Sequence, residues 1–153
     1  MPWPSRRSTP PGPASADVRA VLDPNVLISA ILSPTGAPAR ALFAWVRGEF
    51  ELVVSRLLLD ELERALAYPK LRARIPVEDA IRFVAWLAGS ATLVSDPEDP
   101  PAIHSEDPGD DYLIALAAVQ RAVLVSGDAH LLEFEGDIPV LPPARFVLEH
   151  LSA

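Results

Sequence analysis

Asp23, Glu61, Asp110, Asp111 and Asp128 are the side chains of this sequence best placed to do chemistry together. Asp23 ends the run Ala20-Val21-Leu22-Asp23, Asp111 is followed by the apolar Leu113–Ala118, and Asp128 follows Val123-Leu124-Val125-Ser126-Gly127. Singly, each acid has a local explanation. Asp23 before Pro24 has the form of an N-cap with proline at the first helical position. Glu61 fits the outer face of an amphipathic helix, paired with Arg64 at i+3. Asp110 and Asp111 suit the positive end of a helix dipole, and Asp128 suits another cap. Jointly, their apolar flanks put them at the rim of a buried sheet and close to one another. Converging carboxylates repel, and burial penalises their charged forms further, so they persist as anions only with cations among them. The chain has no cysteine and only three histidines, His104, His130 and His150. The ligands on offer are therefore hard oxygens, which select Mg²⁺ or Mn²⁺ over zinc. Such a site serves phosphoryl transfer best, above all phosphodiester hydrolysis.

The elements that must position these acids alternate along the chain. Short apolar strands are expected at Val18–Leu22, Phe50–Val54, Ala91–Val94, Ala122–Val125 and Ile138–Leu141. Helices are expected at Asn25–Leu32, Ala37–Arg47, Arg56–Ala67 (stopped by Pro69), Val77–Ala88, Asp111–Gln120, His130–Phe134 and Pro143–Leu151. Continuous apolar strands between helices imply a parallel sheet covered on both faces. The expected fold is a three-layer α/β/α sandwich with a central, mostly parallel five-stranded sheet, spanning residues 18–153 as one domain. Ligands of such sheets bind beyond the carboxyl ends of the strands, near a topological switch point. Asp23 directly follows the first strand, Glu61 lies two turns into the helix after the second, Asp110 and Asp111 open the helix leading to the fourth, and Asp128 follows the fourth. Residues 1–17 hold five of the 17 prolines and no periodic apolar pattern. They read as a disordered tail without a secretory signal.

The 153 residues carry a formal net charge of −8, which argues at first sight against a polyanionic partner. The excess is local. Seven acids and no base lie between Asp96 and Asp111; outside that window 13 bases face 14 acids. Arg56, Arg64, Lys70, Arg72 and Arg74 form a cluster of the opposite sign, and 12 of the 13 bases are arginine. Arginine suits bidentate phosphate contacts, though genome base composition or a solvated face accounts for the cluster equally well. The absence of cysteine excludes a disulfide scaffold, a thiolate zinc site and thiol catalysis. No apolar run reaches the roughly 18 residues of a membrane span, so the expectation is a cytoplasmic protein without a membrane partner.

Four segments carry a family resemblance: VLDPNVLISAIL (Val21–Leu32), LLDEL (Leu58–Leu62), DPGDDYLIALA (Asp107–Ala117) and LVSGDAHLL (Leu124–Leu132). In that order they resemble the motifs of PIN domains, over roughly Val18 to Leu148. PIN domains are metal-dependent ribonucleases, and many bacterial members are VapC-type toxins of toxin–antitoxin pairs. The resemblance implies Asp23, Glu61, Asp111 and Asp128 as catalytic metal ligands, with Asp110 as an additional one. It implies supporting roles for Asn25 and Ser126, which match polar positions that orient the acids or bind phosphate. It also implies Mg²⁺ or Mn²⁺ as cofactor and cleavage of RNA to a 5′-phosphate and a 3′-hydroxyl. Arg56, Arg64, Lys70, Arg72 and Arg74 are candidate RNA contacts. The chain departs from the usual Asp-Thr-Asn opening, since Asp23-Pro24-Asn25 lacks a hydroxyl and a backbone N–H there.

Three readings stand beside one another: a metal-dependent endoribonuclease, a PIN-fold binding module with little catalysis, and an aspartyl phosphotransferase. Nothing after Asp23 follows the Asp-x-Thr form, and the sole lysine, Lys70, is far from a late strand, which counts against the third. Toxin-like PIN proteins usually form homodimers and are blocked by a small antitoxin protein. The stripe Leu42, Phe43, Trp45 and Val46 reads either as such an interface or as core. Bound divalent ions would offset the acidic pole, so RNA binding is expected to depend on metal.

Overall fold

The computed structural model describes residues 18–97, 111–134, 136 and 138–151, with Asp111 described through its backbone. β1 (Arg19–Leu22), β2 (Glu51–Ser55) and β4 (Val123–Val125) bury consecutive residues, which is possible only where both faces of a sheet are covered. β3 (Thr92–Val94) and β5 (Val140–Leu141) are less buried, as befits edges. All pairings are parallel, in the order β3-β2-β1-β4-β5. The chain thus runs outward from β1 to one edge and then returns to build the other. The switch point lies between β1 and β4, the strands that carry Asp23 and Asp128 at their ends.

The helices are α1 (Pro24–Leu32), α2 (Ala37–Val46), α3 (Arg56–Leu66), α4 (Pro69–Arg72), α5 (Val77–Ser90), α6 (Asp111–Gln120), α7 (Ala129–Leu132) and α8 (Pro143–His150). The fold is α/β, as expected, with an all-parallel sheet. Most boundaries fall within two residues of the sequence reading. One element differs in kind: Pro69 ends α3's run but also starts α4, because proline at the first helical position gives up an N–H that no helix would use. Two expected segments shorten. β5 begins at Val140 rather than Ile138, and the last short helix is the single turn α7. Residues 1–17 and most of the acidic window lie outside the described residues.

Leu58, Leu59, Leu62 and Leu66 form the buried face of α3, spaced at three and four residues. In the α2 stripe, Leu42 and Trp45 are core, Val46 is half-buried and Phe43 alone is exposed. Trp45 packs against Trp86 at a centroid distance of 5.1 Å, and Phe146 of α8 meets Phe50 edge-on at 5.1 Å. Gly48, at φ 84°, makes the left-handed turn between α2 and β2 that a side chain would resist. No single described helix is long and apolar enough to cross a membrane. α1 and α2 pass by composition only as a pair, bent by 98° at their break, and most of their apolar residues belong to this core.

Candidate active site

β1 delivers Asp23 to the carboxyl edge of the sheet and pins its backbone there, the Asp23 N–H donating to the Val125 carbonyl at 2.9 Å. Pro24 holds the preceding residue in an extended conformation (φ −53°, ψ 140°), so Asp23 leaves the strand as the N-cap of α1. Its Oδ1 accepts from the Asn25 N–H at 3.0 Å, and its Oδ2 accepts from the Ser126 hydroxyl at 2.7 Å. The Ser126 Oγ in turn accepts from the Asp128 N–H at 3.0 Å. Asp128 caps α7 by accepting from the His130 N–H at 2.8 Å. One hydroxyl therefore ties the ends of β1 and β4 together across the switch point.

The proline at position 24 costs this arrangement no donor. Asp23 takes its backbone hydrogen bond from residue 25, and Pro24 sits buried where an N–H would have no helical partner. Ser126 supplies a hydroxyl to the carboxylate.

Burial dominates the electrostatics of Asp23 and pushes its carboxyl above the usual carboxylate range. The bonds from Asn25 and Ser126 pull the other way, and the charge of Asp128 adds to the rise. Among the described residues no cation is paired with Asp23. Beside it opens a pocket of about 320 Å³, with Asn25, Ser29, Gly127 and Asp128 on its polar side and Val26, Pro38 and Pro143 as apolar wall.

Glu61 forms a second group. It is half-buried on α3 and accepts a hydrogen bond at Oε2 from the Tyr112 hydroxyl in the first turn of α6. The Arg64 partner expected from i+3 spacing is not the one it takes, because the phenol across the gap is already held against the core and within reach. Asp111 heads α6 directly before Tyr112; its side chain, like Asp110, lies outside the described residues. Among the described residues, no group of three or more His, Asp or Glu side chains could hold an ion. The structure thus brings Asp23, Asn25, Ser126 and Asp128 together and places Glu61 beside the turn that carries Asp111. Arg56, Arg64, Lys70, Arg72 and Arg74 are all exposed, on α3, α4 and the turn after it. Tyr112 is a residue that sequence reasoning does not single out; its adjacency to Asp111 is the one signal that could have marked it.

A family model of the PIN domain matches residues 19–130, most of the chain. The chain belongs to the PIN domain family. PIN domains are in general nucleases that use divalent metals, and this one has the nuclease-type fold. An uncharacterized protein of Methanocaldococcus jannaschii, MJ1680, is 25% identical over 120 residues, which is 78% of this chain and 77% of that protein. The fold of this PIN domain is similar to the crystal structure of PAE2754 from Pyrobaculum aerophilum, with a TM-score of 0.57 over 88% of this chain and 92% of that one. At 17% identity that likeness concerns the fold alone.

Proposed function

We propose that this PIN domain is a divalent-metal-dependent endoribonuclease. The observation that carries the reading is the buried carboxylate of Asp23, held by Ser126 and Asn25 at the switch point with Asp128 beside it. This donor set of hard oxygens fits Mg²⁺ or Mn²⁺. Asp23 and Asp111 would hold the ion, with Glu61 and Asp128 completing its oxygen ligands and Asp110 an additional one. When bound, such an ion activates water and offsets charge on the leaving oxygen. The chain's own residues do the rest. Ser126 fixes the rotamer of Asp23, and Asp128 is fixed through its backbone to the same hydroxyl. The pocket walled by Pro38 and Pro143 is lined by Asp128 and Asn25 and would offer room for a nucleotide next to the scissile phosphate.

The test is RNA cleavage in Mn²⁺ by wild type, Asp23→Asn and Asp111→Asn, with thermal unfolding of each. Both variants should lose cleavage yet still unfold cooperatively in EDTA, Asp23→Asn at or above the wild-type temperature. Wild-type cleavage by either variant overturns the assignment. The alternative is a PIN-fold binding module with little catalysis, for which Pro24 in place of the usual threonine is the supporting feature; wild-type protein that binds no Mn²⁺ and cuts no RNA would favour it. The proposal extends to a toxin of a type II pair, acting as a homodimer and blocked by a small antitoxin. A short, basic, ribbon-helix-helix-like reading frame beside this gene would support that extension, and its absence would count against it.

A further inference from the structure

The Tyr112–Glu61 hydrogen bond joins two elements that sequence places far apart, donor and acceptor being 51 positions from each other. We propose that Tyr112 is a positioning residue for Glu61, setting that carboxylate to receive a divalent ion. The inference rests on the metal-dependent reading above and deepens it.

Four features of the contact support this role. The Tyr112 ring is half-buried and packs on the hydrophobic core, so its hydroxyl is presented from a fixed base. Glu61 stands on α3 one residue before the buried Leu62, on a long side chain that would otherwise sample many rotamers. A phenol bond narrows that sampling before any ligand arrives. An ionised carboxylate also offers about four lone-pair sites, so donation to Oε2 leaves Oε1 free to ligate. Finally, Tyr112 follows Asp111 directly. The bond therefore sets Glu61 in register with the turn that carries another proposed ligand. Ser126 does the same for Asp23 across the switch point, with a hydroxyl donating to one carboxylate oxygen. Removing a partner that orients a ligating carboxylate typically costs about 10–100-fold in metal affinity.

Calorimetric titration with Mn²⁺ alone tests the role, on the full chain as wild type, Tyr112→Phe, Glu61→Gln and the double variant, with unfolding followed in EDTA. Tyr112→Phe should weaken Mn²⁺ binding about 10–100-fold, unfold in EDTA near the wild-type temperature, and add no further loss on top of Glu61→Gln. Wild-type affinity in Tyr112→Phe overturns the proposal. So does a loss that persists in full in the Glu61→Gln background, since the hydroxyl would then act elsewhere. Glu61→Asp, which keeps a carboxylate but draws it back from the phenol, gives an independent arm: it should lose affinity comparably, and wild-type affinity there also overturns the role. Asp23→Asn, titrated alongside, separates the two levels. If it abolishes binding while Tyr112→Phe does not weaken it, the metal site stands and the role of Tyr112 falls. If wild type itself takes no Mn²⁺, both fall.

Discussion

At the residue scale, the Ser126 hydroxyl satisfies a buried carboxylate and a backbone N–H at once. Ser126→Ala leaves Asp23 Oδ2 and the Asp128 N–H without that partner, and an orphaned buried polar group costs about 1–3 kcal/mol. Urea denaturation in EDTA should report a loss of that order, and an unchanged midpoint would show that the hydroxyl is dispensable. Asp23 itself makes a pH prediction. Its carboxyl is raised by burial, so between the unfolded and folded values the native state holds the extra proton. Its contribution to stability is complete below the unfolded value and is lost as pH rises through the folded one. In EDTA, Asp23→Asn should therefore be as stable as wild type in acid and gain on it as pH rises to neutrality. Adding Mn²⁺ should reverse the order at neutral pH by stabilising wild type alone. Parallel pH profiles of wild type and Asp23→Asn in EDTA would contradict the cost assigned to this carboxylate. Asp23, Asn25, Ser126 and Asp128 were all legible in the sequence, because each stands within three residues of an apolar strand end. The Tyr112–Glu61 bond was not, since a pairing across 51 positions leaves no local pattern.

At the scale of elements, strands and helices were legible for a physical reason. β1, β2 and β4 are buried on both faces and so are written as unbroken apolar runs, while α3 shows its leucines at helical spacing. Element ends were less legible, because caps depend on where side chains and backbone meet in space. Pro69 illustrates this: the same residue that stops one helix starts α4, and only the turn at Tyr68 decides that it does both. Pro24 is the functional counterpart. At the first position of α1 it is pre-set for the helix and lowers the entropy of the unfolded chain. Pro24→Ala should thus lose about 0.4–1 kcal/mol of stability, measured by denaturation. Its Mn²⁺ affinity should match wild type, since Asp23 is capped by the Asn25 N–H and not by residue 24. A large drop in affinity would mean that the proline shapes the first carboxylate after all.

At the scale of the molecule, the net charge of −8 and the exposed cations at Arg56, Arg64, Lys70, Arg72 and Arg74 must both act on any RNA that approaches. Asp23 and Asp128 stand at the carboxyl edge of the sheet, at the ends of β1 and β4, and the cluster of cations occupies α3, α4 and the turn that follows. A polyanion can reach that edge only if its repulsion from the carboxylates is offset. Two sources of offset make different predictions. Divalent ions at the edge act regardless of the arginines, so single-stranded RNA should bind weakly in EDTA and more tightly as Mn²⁺ is added, at constant ionic strength. The exposed cations act through counterion release, and on a single strand each phosphate they neutralise contributes about 0.7 to the slope of log affinity against log salt. Lys70→Gln, Arg72→Gln and Arg74→Gln combined should therefore flatten the salt dependence by about two units if all three meet phosphates. Mn²⁺ affinity should not change, because none of the three belongs to the site at β1 and β4. A salt slope equal to wild type would assign the cluster to a solvated face and leave divalent ions as the main offset for a polyanion at the acidic edge.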